Sequence, residues 1–182
     1  MMKIVTCQFE PHGQTILDIF NQAIATSTAL YDYEPRTLRA IAKWFEVKAE
    51  FDYPVIGMED NKGIIRGFAT YGTFRNYAAY KYSVEHSVYV DSKFRQQGIG
   101  RKLLLELISL AQQQNYHTTI GAIDAENAVS IKLHQSLGFT HCGRIEQVGF
   151  KFGRWLDLEL YQLILATPKF PTETSDRTSG HN

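Results

Sequence analysis

Cysteine is scarce in this sequence. Its 182 residues contain two, Cys7 and Cys142, which is too few for the disulfide framework of a small secreted domain. We therefore interpret both as reduced thiols of a cytoplasmic protein. Four of the histidines, His12, His117, His141 and His181, do not fall at metal-ligand spacing with one another or with the cysteines, and no metal site is predicted.

An excess of charge of either sign is also missing. Lys plus Arg number 19 and Asp plus Glu number 19, so the formal net charge is zero. A protein that binds nucleic acid normally carries a basic excess to neutralise phosphates, so nucleic acid is not an expected partner. No apolar run approaches the roughly 18 residues of a membrane span, and the N-terminus has no apolar signal-peptide core. No membrane partner is expected either.

The residues that are present have an ordinary globular composition, with 44% hydrophobic and 21% charged residues. A chain of this length fits one domain at roughly 100–200 residues per domain, and it can bury about 70% of its unfolded surface. The apolar periodicity ends near residue 166, and the remainder is rich in Pro, Thr, Ser and Gly. We predict one domain over residues 1–166 and a flexible tail over 167–182.

Hydrophobic periodicity predicts alternating strands and helices. Helices are predicted over 12–26, from Pro35 and from Ile99, and Asn127 can cap a short fourth helix that Gly138 ends. Strand patterns occupy 5–7, 55–58, 64–73, 82–90, 118–123, 139–145 and 155–165. This order indicates an α/β (α+β) fold, with a mixed, mostly antiparallel sheet of about seven strands flanked by about four helices.

The most informative segment is Arg95-Gln96-Gln97-Gly98-Ile99-Gly100-Arg101, between a predicted strand and a predicted helix. Gly98 and Gly100 allow a tight turn and a close approach of a ligand to the backbone. The first N–H groups of the following helix have no intrahelical partner, and together with Arg95 and Arg101 they favour a pyrophosphate group. The Gly-Lys-Ser/Thr of a nucleotide P-loop is absent. An ordinary glycine-containing turn remains the alternative.

This segment resembles the acetyl-CoA signature of the GNAT (N-acetyltransferase) superfamily, Gln/Arg-x-x-Gly-x-Gly/Ala. Asn127, Ser130 and His134, followed by Leu-Gly-Phe, resemble the superfamily's Asn-x-x-Ala-x-x-x-Tyr-x-x-x-Gly-Phe segment. Residues 84–90 and 149–157 are similar to the phosphinothricin and methionine sulfoximine/methionine sulfone acetyltransferase branch. The resemblance spans about residues 2–165. It implies a GNAT-type domain, acetyl-CoA as co-substrate and a homodimer.

The resemblance implies direct attack of a substrate amine on the acetyl-CoA thioester. Glu85 is then the candidate general base, directly or through a water, since an α-amine is mostly ammonium at pH 7. A glutamate on a solvated face is the alternative. The backbone of Val88, Tyr89 and Val90 would hold the pantetheine arm, and an N–H there would polarise the thioester carbonyl. His134 replaces a tyrosine that is often an acid, so catalysis, cofactor contact and helix packing all stay open.

Three further cofactor contacts follow from the same resemblance. Asn127 is expected to hydrogen-bond the pantetheine amides, and capping of the helix is a compatible alternative. Ser130 is expected to contact the cofactor on the same helical face. Lys132 would meet either a CoA phosphate or only water.

Substrate-binding candidates lie in Phe74-Arg75-Asn76, beside Glu85 and in the 27–35 loop. Arg75 suits a planar carboxylate, with an ordinary surface arginine as the alternative. His86 and Ser87 adjoin Glu85, but strand alternation prevents all three from facing one pocket without a bulge. Tyr31 would form an aromatic rim or only pack. Trp155, in the last predicted hairpin, is expected at the dimer contact.

Three functions are compatible with these residues. The first is acetylation of the α-amine of a small L-amino-acid analogue, such as methionine sulfoximine, methionine sulfone or phosphinothricin. The second is acetylation of a protein N-terminus, a lysine or a polyamine, although Arg75 argues against the acidic pocket that a polyamine needs. The third is a non-catalytic acyl-CoA-binding sensor, which would have no need of the base Glu85.

Overall fold

The computed structural model of the protein describes residues 2–174, which contain the helices and strands in the predicted order. The helices are α1 (Phe9–Thr26), α2 (Leu38–Glu50), α3 (Ile99–Gln113) and α4 (Ala128–Ser136). The strands are β1 (Lys3–Thr6), β2 (Val55–Glu59), β3 (Ile65–Thr73), β4 (Ser83–Val90), β5 (Thr118–Asp124), β6 (Thr140–Lys151) and β7 (Arg154–Ile164). Short 3₁₀ turns cover residues 78–80 and 92–94.

The seven strands form one sheet in the order β1-β2-β3-β4-β5-β7-β6. Every neighbouring pair is antiparallel except β4 and β5, which are parallel. The parallel pairing extends only from Ser83 to Glu85 on β4 and from Thr118 to Ile120 on β5. The predicted mixed, mostly antiparallel sheet with four helices is therefore confirmed. Its one parallel ladder covers only three residues of each strand.

Helices cover both faces of this sheet. On one face α1 and α2 bury an aromatic cluster in which Phe20 meets Trp44 and Phe68 edge to face. On the other face Leu103 and Leu107 of α3 are fully buried against β2, β3 and β4. Burial of each such leucine contributes roughly 1.5–3 kcal/mol. The central strand β4 is thus fixed from both sides.

Two helices begin elsewhere than the sequence pattern predicts. Helix α1 starts at Phe9 instead of residue 12, because Pro11 fits the first turn, where a backbone N–H has no helical partner. Helix α2 starts at Leu38, so the prediction that Pro35 lies in its first turn is wrong. The physical reason is the Thr37 side chain, whose Oγ1 accepts a hydrogen bond from the Ala40 N–H at 3.2 Å and caps the helix.

The last two strands form the predicted hairpin, but β6 is longer than predicted. It continues to Lys151 because the register with β7 shifts between Ile145 and Gly149 and pairing then resumes. Phe152 and Gly153 make the two-residue turn, with φ angles of 52° and 74°, and two positive φ angles match the twist of a hairpin. The sequence motif over residues 149–157 therefore builds the tip of this hairpin.

The segment after β7 contacts the domain over the part that the structure describes. Thr167 Oγ1 donates to the Tyr116 carbonyl at 2.6 Å, and the Tyr82 hydroxyl donates to the Thr172 carbonyl at 3.2 Å. Residues 175–182 of the predicted flexible tail lie outside the described residues. Across residues 2–174, no helix has the length and apolar character required to cross a membrane.

Candidate active site

The site is centred on the opening between β4 and β5. Their last paired residues are Glu85 and Ile120, and beyond them the two strands diverge. The facing strand edges from Ser87 to Val90 and from Gly121 to Asp124 therefore offer backbone N–H and C=O groups to an extended ligand. The predicted pantetheine contacts at residues 88–90 lie along this edge.

A cavity of about 360 Å³ is lined in part by residues that follow β4 and β5 along the chain, Arg95 after β4 and Asn127 after β5. It is bounded by the end of α1, the glycine-containing loop, the start of α4 and the hairpin tip, through Ser27, Arg95, Asn127 and Phe152 among others. Two predicted cofactor residues that are 32 positions apart in the sequence, Arg95 and Asn127, thus border one space. Its polar lining and its position are suited to the arm of acetyl-CoA.

The glycine-containing loop has the geometry of an anion site. Gly98 is the N-cap of α3 with φ +75°, and Gln96 also has a positive φ of 62°. The side chains of Arg95, Gln96, Gln97 and Arg101 are exposed around the open helix N-terminus. Ile99 is buried in the core, so it can offer only its backbone N–H to a ligand.

The two glycines of this loop are expected to respond oppositely to alanine. Gly98→Ala places a Cβ in open space but in the left-handed region, at a cost of roughly 1–2 kcal/mol. Gly100 is helical, and a Cβ there meets Leu133 and Val90 at ordinary distances of 3.6 and 3.8 Å, so Gly100→Ala should gain up to about 1 kcal/mol. Chemical denaturation of the two variants checks this; equal effects would contradict the assigned backbone.

Glu85 lies on the face of β4 that is covered by α1 and α2, and it is half-buried. Burial raises the pKa of its carboxyl, and the positive charge of Arg75 partly opposes that rise. Gly72 of β3 is directly opposite Glu85. Gly72 has no side chain, and this leaves space on its face of the strand for the close approach of another group.

The loop after β3 brings the predicted carboxylate ligand to this place. Arg75 is exposed, its guanidinium lies 4.7 Å from the centre of the Phe74 ring, and its charge acts on Glu85. Asn76 is exposed on the same loop. A carboxyl with a raised pKa and an exposed guanidinium can bind the ammonium and the carboxylate of one amino acid.

Lys48 of α2 was missed by the sequence reasoning. Its Nζ donates to the Tyr71 carbonyl at 2.6 Å and would lie 3.3 Å from a Cβ on Gly72. Burial lowers the pKa of this amine to about 8. The strand glycine Gly72 was the available signal, since such a glycine often marks a close approach.

The Tyr31 ring lies against the last hairpin. A Cβ added at Gly149 would be 2.8 Å from the ring, so the glycine makes room for it. Lys151 Nζ donates to the carbonyls of Ser27 and Leu30, at 3.0 and 2.7 Å, and anchors the loop that carries Tyr31. The motif over 149–157 thus positions the loop predicted to border the substrate.

The remaining candidates divide between the two faces of β4. The register between β3 and β4 is continuous from Gly67 to Thr73, so Ser87 lies on the face of Glu85 whereas His86 lies on the opposite face. His86 is buried there against His134. The structure therefore brings Glu85, Ser87 and Arg75 towards one space and separates His86 from them.

The residues of α4 are placed as the sequence pattern predicts. Asn127 Oδ1 accepts from the Ser130 N–H at 3.1 Å and caps the helix, while the residue also borders the cavity. Ser130 is partly buried on the helical face that carries His134, and Lys132 is exposed. Capping and cofactor contact are thus compatible for Asn127.

Three comparisons place this geometry among known proteins. The Acetyltransferase (GNAT) family matches residues 16–139. The chain is 43% identical over 150 residues to the L-methionine sulfoximine/L-methionine sulfone acetyltransferase of Pseudomonas aeruginosa, covering 82% of this chain and 87% of the relative. An L-amino acid N-acyltransferase of Escherichia coli is 39% identical with the same coverage, 82% and 87%. A GNAT superfamily phosphinothricin acetyltransferase from Sinorhizobium meliloti, solved in complex with acetyl-CoA, has a TM-score of 0.87 at 30% identity, covering 90% of this chain and 88% of that one.

Proposed function

The chain belongs to the Acetyltransferase (GNAT) family and is an N-acetyltransferase; from this premise we propose that it acetylates the α-amine of a small L-amino-acid analogue. Methionine sulfoximine, methionine sulfone and phosphinothricin are the candidates, because the similar proteins carry these substrates in their names. The observation that carries the proposal is the position of Glu85 opposite Gly72, close to the end of β3 that leads into Arg75, whose positive charge acts on the carboxyl. A base and a guanidinium match the two charged groups of an amino acid.

In the proposed substrate site, some residues bind the substrate and one residue accepts a proton from it. Arg75 holds the carboxylate, and Phe74, Asn76, Ser87 and Tyr31 border the side chain of the substrate. Glu85 takes the proton of the ammonium, directly or through a water, so that the neutral amine attacks. Because burial raises the pKa of Glu85, the carboxylate is a stronger base than an exposed glutamate.

The acetyl donor is acetyl-CoA, which supplies an activated acetyl group as a thioester. The residues present fit it, since an open strand edge, a polar cavity and a helix N-terminus follow one another. The backbone of residues 88–90 binds the arm, and Asn127 and Ser130 hydrogen-bond its amides. The diphosphate lies on the loop side chains and N–H groups of Arg95, Gln96, Gln97, Gly98, Ile99, Gly100 and Arg101, with Lys132 near a phosphate.

The proposed substrate class is tested by measuring thiol release from acetyl-CoA. The amines to compare are methionine sulfoximine, methionine sulfone, phosphinothricin, the common amino acids, spermidine and a lysine peptide. We expect turnover with the sulfoximine, sulfone or phosphinate analogues and little with spermidine. Turnover only with spermidine or the peptide would overturn the substrate assignment, and binding of acetyl-CoA without any turnover would favour the sensor.

We also propose a homodimer that forms through the last hairpin. Phe150, Phe152 and Trp155 are 47%, 59% and 60% exposed, and Phe150 and Trp155 stack edge to face at 5.2 Å. Such an exposed aromatic group is typical of a protein interface. We expect Trp155→Arg to shift the mass measured by light scattering from dimer to monomer, whereas Phe51→Arg, at an exposed position on the C-cap of α2, should not. A monomeric wild type would exclude this interface.

A cytoplasmic location is part of the same proposal. The structure has two free cysteines, Cys7 buried and Cys142 exposed. Burial raises the pKa of the Cys7 thiol to about 12, which keeps it protonated and unreactive. Free thiols persist in reducing compartments, which supports this location.

A further inference from the structure

Two histidine rings are paired inside the protein on the sheet face opposite to Glu85. His86 Nε2 and His134 Nε2 are 2.8 Å apart, and the ring centres are 5.1 Å apart with an interplanar angle of 22°. Both residues are buried, at 7% and 5% exposure. A contact between two Nε2 atoms requires that one ring donates and the other accepts.

The other hydrogen bonds of the pair decide which ring is the donor. His134 Nδ1 lies 2.7 Å from the Ser130 carbonyl oxygen, which can only accept, so His134 carries its proton on Nδ1. In an uncharged ring its Nε2 is then an acceptor, and His86 must donate from Nε2. His86 Nδ1 is left to accept from the Thr119 hydroxyl at 2.9 Å. One directed chain therefore runs from Thr119 through His86 and His134 to Ser130.

The pair occupies the point where β4 and β5 diverge. His86 follows the last paired residue of β4, and Gly121 follows the last paired residue of β5. A Cβ on Gly121 would lie 3.0 Å from His134 Nε2 and 3.1 Å from His86 Cε1. Gly121 thus makes room for both rings at the closed end of the opening, and this end also holds Glu85.

The surroundings of the pair keep it uncharged. Burial, with a smaller effect of His134, lowers the pKa of His86 to about 3, and burial also lowers the pKa of His134. Phe139 packs on both rings, and the titratable group that faces His134 from β7 is Tyr161, with its ring centre 6.5 Å away. The neighbours on β5 and α4 are the uncharged hydroxyls of Thr119 and Ser130 and the Ile120 backbone carbonyl, which opposes part of the fall in the pKa of His86.

We propose that His86 is a positioning residue: by donating from its Nε2, it fills the lone pair of His134 and holds His134 as an uncharged imidazole with its proton on Nδ1. His134 Nε2 is the only nitrogen of that ring that could take up a proton. While His86 donates to it, His134 is not an imidazolium acid at neutral pH. This inference rests on the proposed function only where it concerns turnover, because the state of the rings is a property of the protein alone.

The state of the rings is measured by NMR on the protein labelled with ¹⁵N-histidine. In the wild type we expect the Nδ1–H form of His134, the Nε2–H form of His86, and a titration of His134 that lies below the ordinary histidine value. An Nε2–H on His134, or its titration near the ordinary pKa of about 6.5, would overturn the proposal. This result does not depend on the substrate and is obtained even if the variants below fail to fold.

Two matched substitutions separate the donor from the packing. His86→Gln keeps an N–H donor near the Nε2 position, whereas His86→Leu fills the space without one. In His86→Leu we expect the titration of His134 to move to higher pH, because its Nε2 lone pair becomes free, while burial still holds its pKa below the ordinary histidine value. The profile of kcat/KM against pH should gain a second inflection at that pH. His86→Gln should retain the wild-type titration and profile. An unchanged His134 titration in folded His86→Leu, or equal behaviour of both variants, would show a packing role only.

Discussion

Replacing Glu85 by glutamine is expected to reduce kcat by about 10²-fold or more near neutral pH, because positioned base catalysis contributes roughly 10²–10⁴-fold. Glutamine is nearly isosteric with the protonated acid, so the side chain should keep its place opposite Gly72. The amine would then have to lose its proton to solvent before it attacks. Steady-state thiol release with the best amine of the panel measures the change.

The pH dependence of the wild type tests the same role. Burial raises the pKa of Glu85, so the basic form is lost as pH falls through that raised value. We expect kcat/KM to rise with pH through that value and to level off below the pKa of the amine, about 8, while the substrate is still an ammonium. Glu50→Gln, at an exposed position on α2, is the matched control for the Glu85→Gln variant. Activity of Glu85→Gln within twofold of that control would exclude Glu85 as the base.

Replacing Arg75 by glutamine is expected to raise KM for the amino-acid substrate by about tenfold or more, since a hydrogen bond to a charged group contributes roughly 1.5–3 kcal/mol. The change in kcat should be smaller, because a carboxylate contact is made in both the ground state and the transition state. The positive charge of Arg75 lowers the pKa of Glu85, so the pKa of Glu85 should be higher in the Arg75→Gln variant. The acid limb of kcat/KM should therefore move to higher pH.

The substrate itself provides a control for the Arg75 variant. With the carboxamide of the same amino acid, which has no negative charge, wild type and Arg75→Gln should give similar KM values. Arg39→Gln, at an exposed position on α2, controls for a general loss of positive charge. If the variant lost the acid and the amide substrates equally, Arg75 would have no role in binding the carboxylate.

Much of the fold could be predicted because local patterns determine it. The apolar faces of α1 and α3 and the alternation of β4 gave the right elements in the right order, and the family resemblance is confirmed. The start of α2 was missed because two signals competed. Proline favours a first turn, but the Thr37 cap gives the backbone a hydrogen bond that Pro35 cannot supply. The extension of β6 was missed because a register shift leaves no periodic signal.

The site was predicted only as far as it lies in contiguous motifs. Alternation along β4 puts His86 and Glu85 on opposite faces of the sheet. The partner of His86, His134, lies 48 residues further on, and no local pattern joins them. Gly121 and Gly72 are explained only by what approaches them in three dimensions, a pair of rings and a lysine. The sequence pattern of α2 does not distinguish Lys48 from other polar residues of an amphipathic helix, and only the fold brings its amine to the Tyr71 carbonyl.

The short parallel contact between β4 and β5 also has a mechanical consequence. The sheet consists of two antiparallel halves, one made of β1 to β4 and the other of β5, β7 and β6. On β4, the ladder that joins them spans only Ser83 to Glu85. The helix α3 joins the halves as a crossover and packs mainly on the first of them. A ligand that lies in the opening and contacts both strand edges would therefore connect the two halves of the sheet. The binding free energy of such a ligand would add to the cohesion of the two halves, so the domain should resist opening most strongly when the ligand is bound.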